Sequence, residues 1–205
     1  YKKFNVNLIK YLHDVPCWRH NLITLFGVNT MSDADHTRIN ETIINLQREM
    51  IARLYKGESN YEGNKRLLER HMTIARKLEN AYLIMRVHEA SGILKAWFGR
   101  FDEAYAAFED AIRVCKTMED NARLPVLLAN LGETYRIAGE NAKAVEAFHE
   151  AIKIAEDAQN KAALVLANTN LGLSLLALEK IEAAKYHFEY VINLTADDTW
   201  NHIQQ

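Results

Sequence analysis

The amino-acid sequence predicts an all-α fold, an α-α superhelix (solenoid) of about four helix pairs with extra N-terminal helices. Composition is the first reason. Only two prolines and eight glycines occur among 205 residues, while Ala, Leu, Glu, Lys and Arg are abundant, a balance that favours helix over sheet. The second reason is an internal repeat of forty residues, each copy of which contains two amphipathic helical stretches.

Identical residues recur every forty positions in the second half of the chain. A glycine, an alanine and a phenylalanine each stand at the same position in all three copies: Gly92, Gly132 and Gly172; Ala104, Ala144 and Ala184; Phe108, Phe148 and Phe188. The glycine lies in the first helix of a copy (helix A), and the alanine and phenylalanine share one face of the second (helix B). Because glycine costs roughly 1 kcal/mol relative to alanine inside a helix, we expect helix B to meet helix A closely there.

The order of the elements follows from this repeat. Residues 1–45 are predicted to form an N-terminal helical region, either a cap or a preceding degenerate repeat. Two short helices are followed there by a long one that starts after an N-cap at Ser32 and ends near Lys56. The array itself is predicted to comprise a degenerate copy at 46–84 and clear copies at 85–124, 125–164 and 165–205.

The connections are predicted from turn residues. Gly99 and Gly139 stand where a left-handed residue ends a helix, whereas the third copy has Glu179 there and is expected to close its turn differently. The stretches "CKTMEDNARLP" and "AEDAQNKAALV" are expected to form longer connections between copies.

These positions resemble the tetratricopeptide repeat, whose pattern is Leu-Gly, a tyrosine three residues on, and then Ala, Phe and Ala in helix B. "NLGETY" with Ala144, Phe148 and Ala151 matches closely, while "NLGLSL" in the third copy lacks the tyrosine. The standard repeat has 34 residues; the longer form is similar to that of kinesin light chains and of bacterial regulators. The resemblance implies a right-handed superhelix whose A helices line a groove, and an array that continues beyond residue 205.

Charge and composition argue against several classes of protein. A formal net charge of −2 creates no field that attracts nucleic acid or an anionic membrane surface. No apolar run approaches the roughly 20 residues that span a bilayer, so a cytoplasmic protein is expected. None of the eight histidines forms an HExxH pair, and no nucleophile elbow is present. The sequence therefore predicts no catalytic residue, no metal site and no cofactor.

Candidate partner-binding residues follow from their offsets to the repeat glycine. In tetratricopeptide families that bind extended peptides, an asparagine two residues before the glycine hydrogen-bonds the ligand backbone. Asn130 and Asn170 match this offset, although both could instead cap or bridge neighbouring A helices and bind nothing. The other predicted groove residues are Arg86, Glu89, Trp97, Glu133, Arg136 and Thr169.

The function predicted from these features is a non-enzymatic scaffold that binds a protein or peptide, with no direct contact to nucleic acid or membrane. The resemblance further implies the sensor or regulatory part of a larger signalling or transcription-regulating protein. The alternative is a self-association module that forms a homodimer or a larger oligomer.

Overall fold

The computed structural model describes residues 33–58 and 60–203, and this part of the chain is helical and without strands. Its eight helices are α1 (Asp33–Tyr55), α2 (Tyr61–Lys77), α3 (Ala81–Trp97), α4 (Phe101–Thr117), α5 (Leu124–Ile137), α6 (Asn141–Asp157), α7 (Lys161–Ala177) and α8 (Ile181–Ile203). The predicted α-solenoid is confirmed. The predicted N-cap at Ser32 and the two short helices before it lie outside the described residues.

The helices pack as consecutive pairs, with α3 against α4, α5 against α6 and α7 against α8. In each pair the first member is helix A and the second is helix B. Each A helix also approaches the next A helix, whereas successive B helices stay farther apart. A row of repeats that is close-spaced on one side and wide-spaced on the other must curve. The A helices therefore line the concave side.

A phenylalanine ring fills the space left by the glycine in each clear copy. A Cβ atom added to the glycine would lie less than 3 Å from the ring carbons, at 2.8 Å for Gly92–Phe108, 2.7 Å for Gly132–Phe148 and 2.6 Å for Gly172–Phe188. Favourable carbon–carbon contacts lie at about 3.5–4.0 Å. The predicted close approach of helix B to helix A is thus present in all three copies.

One type of turn ends every helix from α2 to α7. Each turn has one residue with positive φ, and these residues are spaced twenty apart: Glu79, Gly99, Glu119, Gly139, Gln159 and Glu179. The N–H of that residue donates to the carbonyl three residues earlier, and the following N–H donates to the carbonyl five residues before it. This is the Schellman arrangement. Glu179, at φ 59°, closes its turn as the glycines do, so the prediction of a different turn there was wrong.

The forty-residue period comes from long helices more than from long connections. Most of "AEDAQNKAALV" is helical, and only residues 158–160 separate α6 from α7. The prediction of a long connection was therefore wrong for this stretch, whereas residues 118–123 do form a longer one between α4 and α5. Helices α3, α6 and α7 each contain 17 residues.

The first pair, α1 and α2, packs less closely than the others, and both helices lie against α3. Ala52 takes the offset of the repeat glycine, and Asn64 and His71 take the offsets of two alanines in helix B. Larger side chains at these three positions are consistent with the wider separation. Helix α1 ends at Tyr55, one residue before the predicted end.

None of the helices described between residues 33 and 203 combines the length and the apolar character that a membrane crossing requires.

Candidate functional site

The concave face is the part of the surface formed by the A helices. At about 100° per residue, the offsets −2, +1 and +5 from the repeat glycine fall within a sector of about 60° that points away from helix B. In α5 these offsets hold Asn130, Glu133 and Ile137, and in α7 they hold Asn170, Leu173 and Ala177. Ile137 is 52% exposed and Leu173 is 39% exposed, so the face presents apolar surface to solvent.

An arginine cluster, defined here as Arg86, Glu89 and Arg123, joins α3 to the start of α5. Nη1 of Arg86 donates to Oε2 of Glu89 at 2.5 Å. Nη2 of Arg123 lies 2.5 Å from both carboxylate oxygens of Glu89. Arg123 directly precedes Leu124, so its side chain reaches from one A helix to the carboxylate of the previous one. The carboxylate of Glu89 therefore pairs with two guanidinium groups.

Burial dominates the electrostatics of this cluster. Arg86 is 8% exposed and Glu89 is 3% exposed. Burial lowers the pKa of Arg86 below its ordinary value; the carboxylate of Glu89 counteracts this shift, and the positive charge of Arg123 adds to it. The sequence placed Arg86 and Glu89 among open groove residues. That prediction was wrong, because the two side chains are buried against each other and Arg123.

The two predicted ligand-binding asparagines have different surroundings. Nδ2 of Asn130 donates to Oε1 of Glu89 at 3.1 Å, so this side chain bridges two A helices. Asn170 is half-buried and its amide has no hydrogen-bond partner among the described residues. The difference follows from the preceding copy, in which the position equivalent to Glu89 is Ala129. The alanine side chain has no acceptor, so no described residue takes the place that Glu89 has beside Asn130.

Three further predicted groove residues are engaged within the protein. Arg136 and Glu133 form a half-exposed ion pair, with Nε to Oε2 at 2.9 Å and Nη2 to Oε1 at 2.7 Å. Oγ1 of Thr169 donates to the carbonyl of Val165 at 2.8 Å.

Trp97 is exposed on one side and packs edge-on against Tyr55, with ring centroids 5.1 Å apart. It therefore contributes an aromatic edge where α1 meets α3, away from Asn170 in α7.

The comparisons with known proteins identify the repeat. A family model described as tetratricopeptide repeat matches residues 83–157. Residues 83–157 of the chain therefore match the tetratricopeptide repeat. Tetratricopeptide repeats generally mediate protein–protein interaction. No curated protein matches this sequence.

One similar solved structure contains nearly identical TPR-like repeats of a putative kinesin light chain from Podosopora anserina. The match covers 82% of this chain and 99% of that chain, at a TM-score of 0.50 and 13% sequence identity. At this identity the two proteins share the fold of the tetratricopeptide array, and the likeness extends no further.

Sequence reasoning missed Arg123 as a member of the site. A signal was present, because the same offset holds Leu83 in the previous copy and Ala163 in the next one. A charged residue at an otherwise apolar offset of a tetratricopeptide repeat is unusual enough to indicate a specific partner. The apolar groove position Leu173 was missed as well, since its equivalents Ile93 and Glu133 differ in character.

Little in the described residues suggests chemistry at this face. No group of three or more His, Cys, Asp or Glu side chains within residues 33–58 and 60–203 is arranged to hold a metal ion. Cys115 is buried, and burial raises the pKa of its thiol to about 11, so it is protonated at neutral pH. The concave face places hydrogen-bonding, apolar and charged groups side by side.

Proposed function

We propose that this protein is a non-enzymatic scaffold that binds an extended peptide segment of a partner along the concave face of α5 and α7. The observation that carries the proposal is the amide of Asn170, which is half-buried and has no hydrogen-bond partner among the described residues. A side-chain amide supplies donors and an acceptor, as the backbone of an extended peptide requires.

Apolar surface beside this amide supports the same proposal. Leu173 lies three residues after Asn170 on the same side of α7, and Ile137 is exposed at the corresponding face of α5. Side chains of an extended peptide alternate in direction, so the backbone can bond Asn170 while alternate side chains cover Leu173 and Ile137. We further propose that the array acts as the sensor or regulatory part of a larger signalling or transcription-regulating protein.

The experiment is peptide selection followed by a matched pair of variants. A random peptide library displayed on phage is selected on the protein, and selected peptides are titrated by fluorescence polarisation. Asn170→Ala should weaken binding about tenfold, since an unpaired peptide group in the complex costs about 1–3 kcal/mol. Asn193→Ala removes an exposed asparagine from the B helix α8 and should leave affinity unchanged. Equal affinity of the wild type and Asn170→Ala would reject the asparagine contact.

Self-association is the second candidate, because one observation favours it. Ile192 of α8 is 63% exposed, whereas the equivalent Ile112 and Ile152 are partly buried against the core. Exposed apolar side chains of this kind are typical of interaction surfaces. A mass that rises with concentration in sedimentation equilibrium, and that Ile192→Glu returns to the monomer value, would support an oligomer through α8. A monomer at all concentrations would reject it.

A further inference from the structure

The arginine cluster carries more positive charge than its own carboxylate can neutralise. Arg86 and Arg123 each bear one positive charge, and Glu89 supplies the single negative charge that contacts both. The Nε atoms of the two arginines are buried and have no hydrogen-bond partner among the described residues. Most buried polar groups in proteins are hydrogen-bonded, so this excess of donors marks the cluster as incomplete.

Within the described residues, no second carboxylate forms an ion pair with either guanidinium. The Oδ1 atom of Asp120 accepts from the backbone N–H of Arg123 at 3.0 Å, and among the described residues it forms no ion pair with either guanidinium. Arg48 of α1 adds to the positive potential at Arg86. With two guanidinium groups and one carboxylate, the arginine cluster carries one net positive charge between the A helices α3 and α5.

Arg123 is the member of the cluster that is most accessible to solvent. The side chain of Arg123 is 26% exposed, against 4% for Glu89. Asn130, which is bonded to Glu89, stands at the same offset as Asn170. An anionic group on a peptide in the groove can therefore reach the guanidinium of Arg123 without displacing Glu89.

We propose that the arginine cluster binds an acidic side chain of the peptide ligand, which makes the partner an acidic segment that also carries apolar residues. This inference rests on the proposed function and names the chemical class of its ligand. Charge complementarity selects an acidic ligand, because the Glu133–Arg136 pair farther along α5 is neutral in total. A carboxylate on a guanidinium forms charge-assisted hydrogen bonds, which are among the stronger polar contacts in proteins.

The test is a titration of the ¹⁵N-labelled protein observed by NMR at the arginine Nε–H and asparagine side-chain amide resonances. The probes are the peptides acetyl-Asp-Leu-Asp-Leu-Asp-amide and acetyl-Asn-Leu-Asn-Leu-Asn-amide, which are similar in shape and differ in charge, and inorganic phosphate at equal ionic strength. We expect the Asp peptide to shift the Nε–H signals of Arg86 and Arg123 saturably. Arg113, exposed on the B helix α4, should not shift.

Three variants connect the shifts to the cluster. Arg123→Gln should lower the affinity for the Asp peptide about tenfold, which matches the free energy of a hydrogen bond to a charged group. The affinity for the Asn peptide should not change. Arg123→Lys, which keeps the charge, should recover part of the affinity. Arg113→Gln removes an equal charge elsewhere and should have no effect. If Arg123→Gln does not fold, the affinities of the wild type for the two peptides still test whether the ligand must be acidic.

The outcomes separate this inference from the proposed function. Equal affinity for both peptides, with the Asn170 amide signal shifted and the arginine signals unmoved, would overturn the acidic specificity and leave the peptide groove intact. A peptide that moves the arginine signals but not that of Asn170 would overturn the groove. Saturable shifts with phosphate that match those with the Asp peptide would show a site for small anions and overturn the assignment to a peptide side chain.

Discussion

At the scale of single residues, the glycine–phenylalanine contact determines how closely two helices pack. Alanine is the better helix former by roughly 1 kcal/mol, so helix propensity alone would favour Gly132→Ala. The added Cβ would lie 2.7 Å from the ring of Phe148, whose side chain is fully buried. The steric cost of the contact between the added Cβ and Phe148 therefore exceeds the gain in helix propensity.

We expect Gly132→Ala to lower the free energy of unfolding by about 1–3 kcal/mol, the range for an overpacked core, measured as a shift of the urea midpoint. The degenerate first pair suggests the control, since it combines Ala52 with Leu68 at the same two offsets. In a Phe148→Leu background, Gly132→Ala should lower the free energy of unfolding by less than it does in the wild type. An unchanged cost in that background would show that the ring is not the cause.

A second residue links stability to pH. His71 is 1% exposed, and burial lowers its pKa from the ordinary 6.5 to about 4. Between these values the unfolded chain binds a proton that the folded chain does not. The stability associated with neutral His71 is therefore complete above pH 6.5 and is lost as the pH falls towards 4, by about 3 kcal/mol at most.

The measurement is the free energy of unfolding in urea at several pH values between 6.5 and 4.5. His71→Ala, which introduces the residue found at the equivalent offset in the next two copies, should reduce the slope by up to about 1.4 kcal/mol per pH unit. A slope that His71→Ala does not alter would assign the pH dependence to other groups.

At the scale of the elements, a left-handed residue ends each helix from α2 to α7, at intervals of twenty residues. Glycine adopts this conformation without a Cβ penalty, whereas other residues pay roughly 1–2 kcal/mol. Four of the turns nevertheless use Glu or Gln. Two of these turns are followed by an asparagine whose side chain accepts the N–H three residues on, at 3.0 Å for both Asn80–Leu83 and Asn160–Ala163. These caps offset part of the conformational cost.

Glu179 lacks such a cap, because Lys180 follows it. We therefore expect Glu179→Gly to raise the free energy of unfolding by up to about 1 kcal/mol, seen as a higher urea midpoint. Lys180→Gly changes the adjacent residue, whose φ is not positive, and should lower the midpoint instead. A loss of stability in Glu179→Gly would mean that the carboxylate side chain contributes more than the backbone conformation costs.

The sequence predicted the packing of the elements better than their ends. Small residues such as Gly132 and Ala144 are read directly from the repeat, because only a close helix contact explains them. The turns at Glu119 and Gln159 were missed, since neither residue favours positive φ by itself. Their conformation is fixed by the ends of the flanking helices, which hydrogen bonds along the backbone determine.

At the scale of the whole molecule, the curvature of the array brings residues of different copies onto one face. The sequence placed Asn130 and Asn170 correctly at equivalent offsets, but it could not distinguish them. That distinction depends on a contact across forty-one residues, between Asn130 and Glu89. The burial of Arg86 likewise depends on Arg123, which lies in a loop whose path the repeat pattern does not fix.

Photo-cross-linking is the most direct test of the central claim, that the concave face of the A helices is the binding surface. A photoreactive p-benzoylphenylalanine replaces Leu173 in one variant and Tyr186 of the B helix α8 in another, both exposed positions, and each variant is irradiated with a peptide selected by display. We expect cross-linked peptide at 173 and none at 186. Cross-linked peptide at 186 alone, or a second copy of the chain cross-linked there with no peptide at 173, would contradict it.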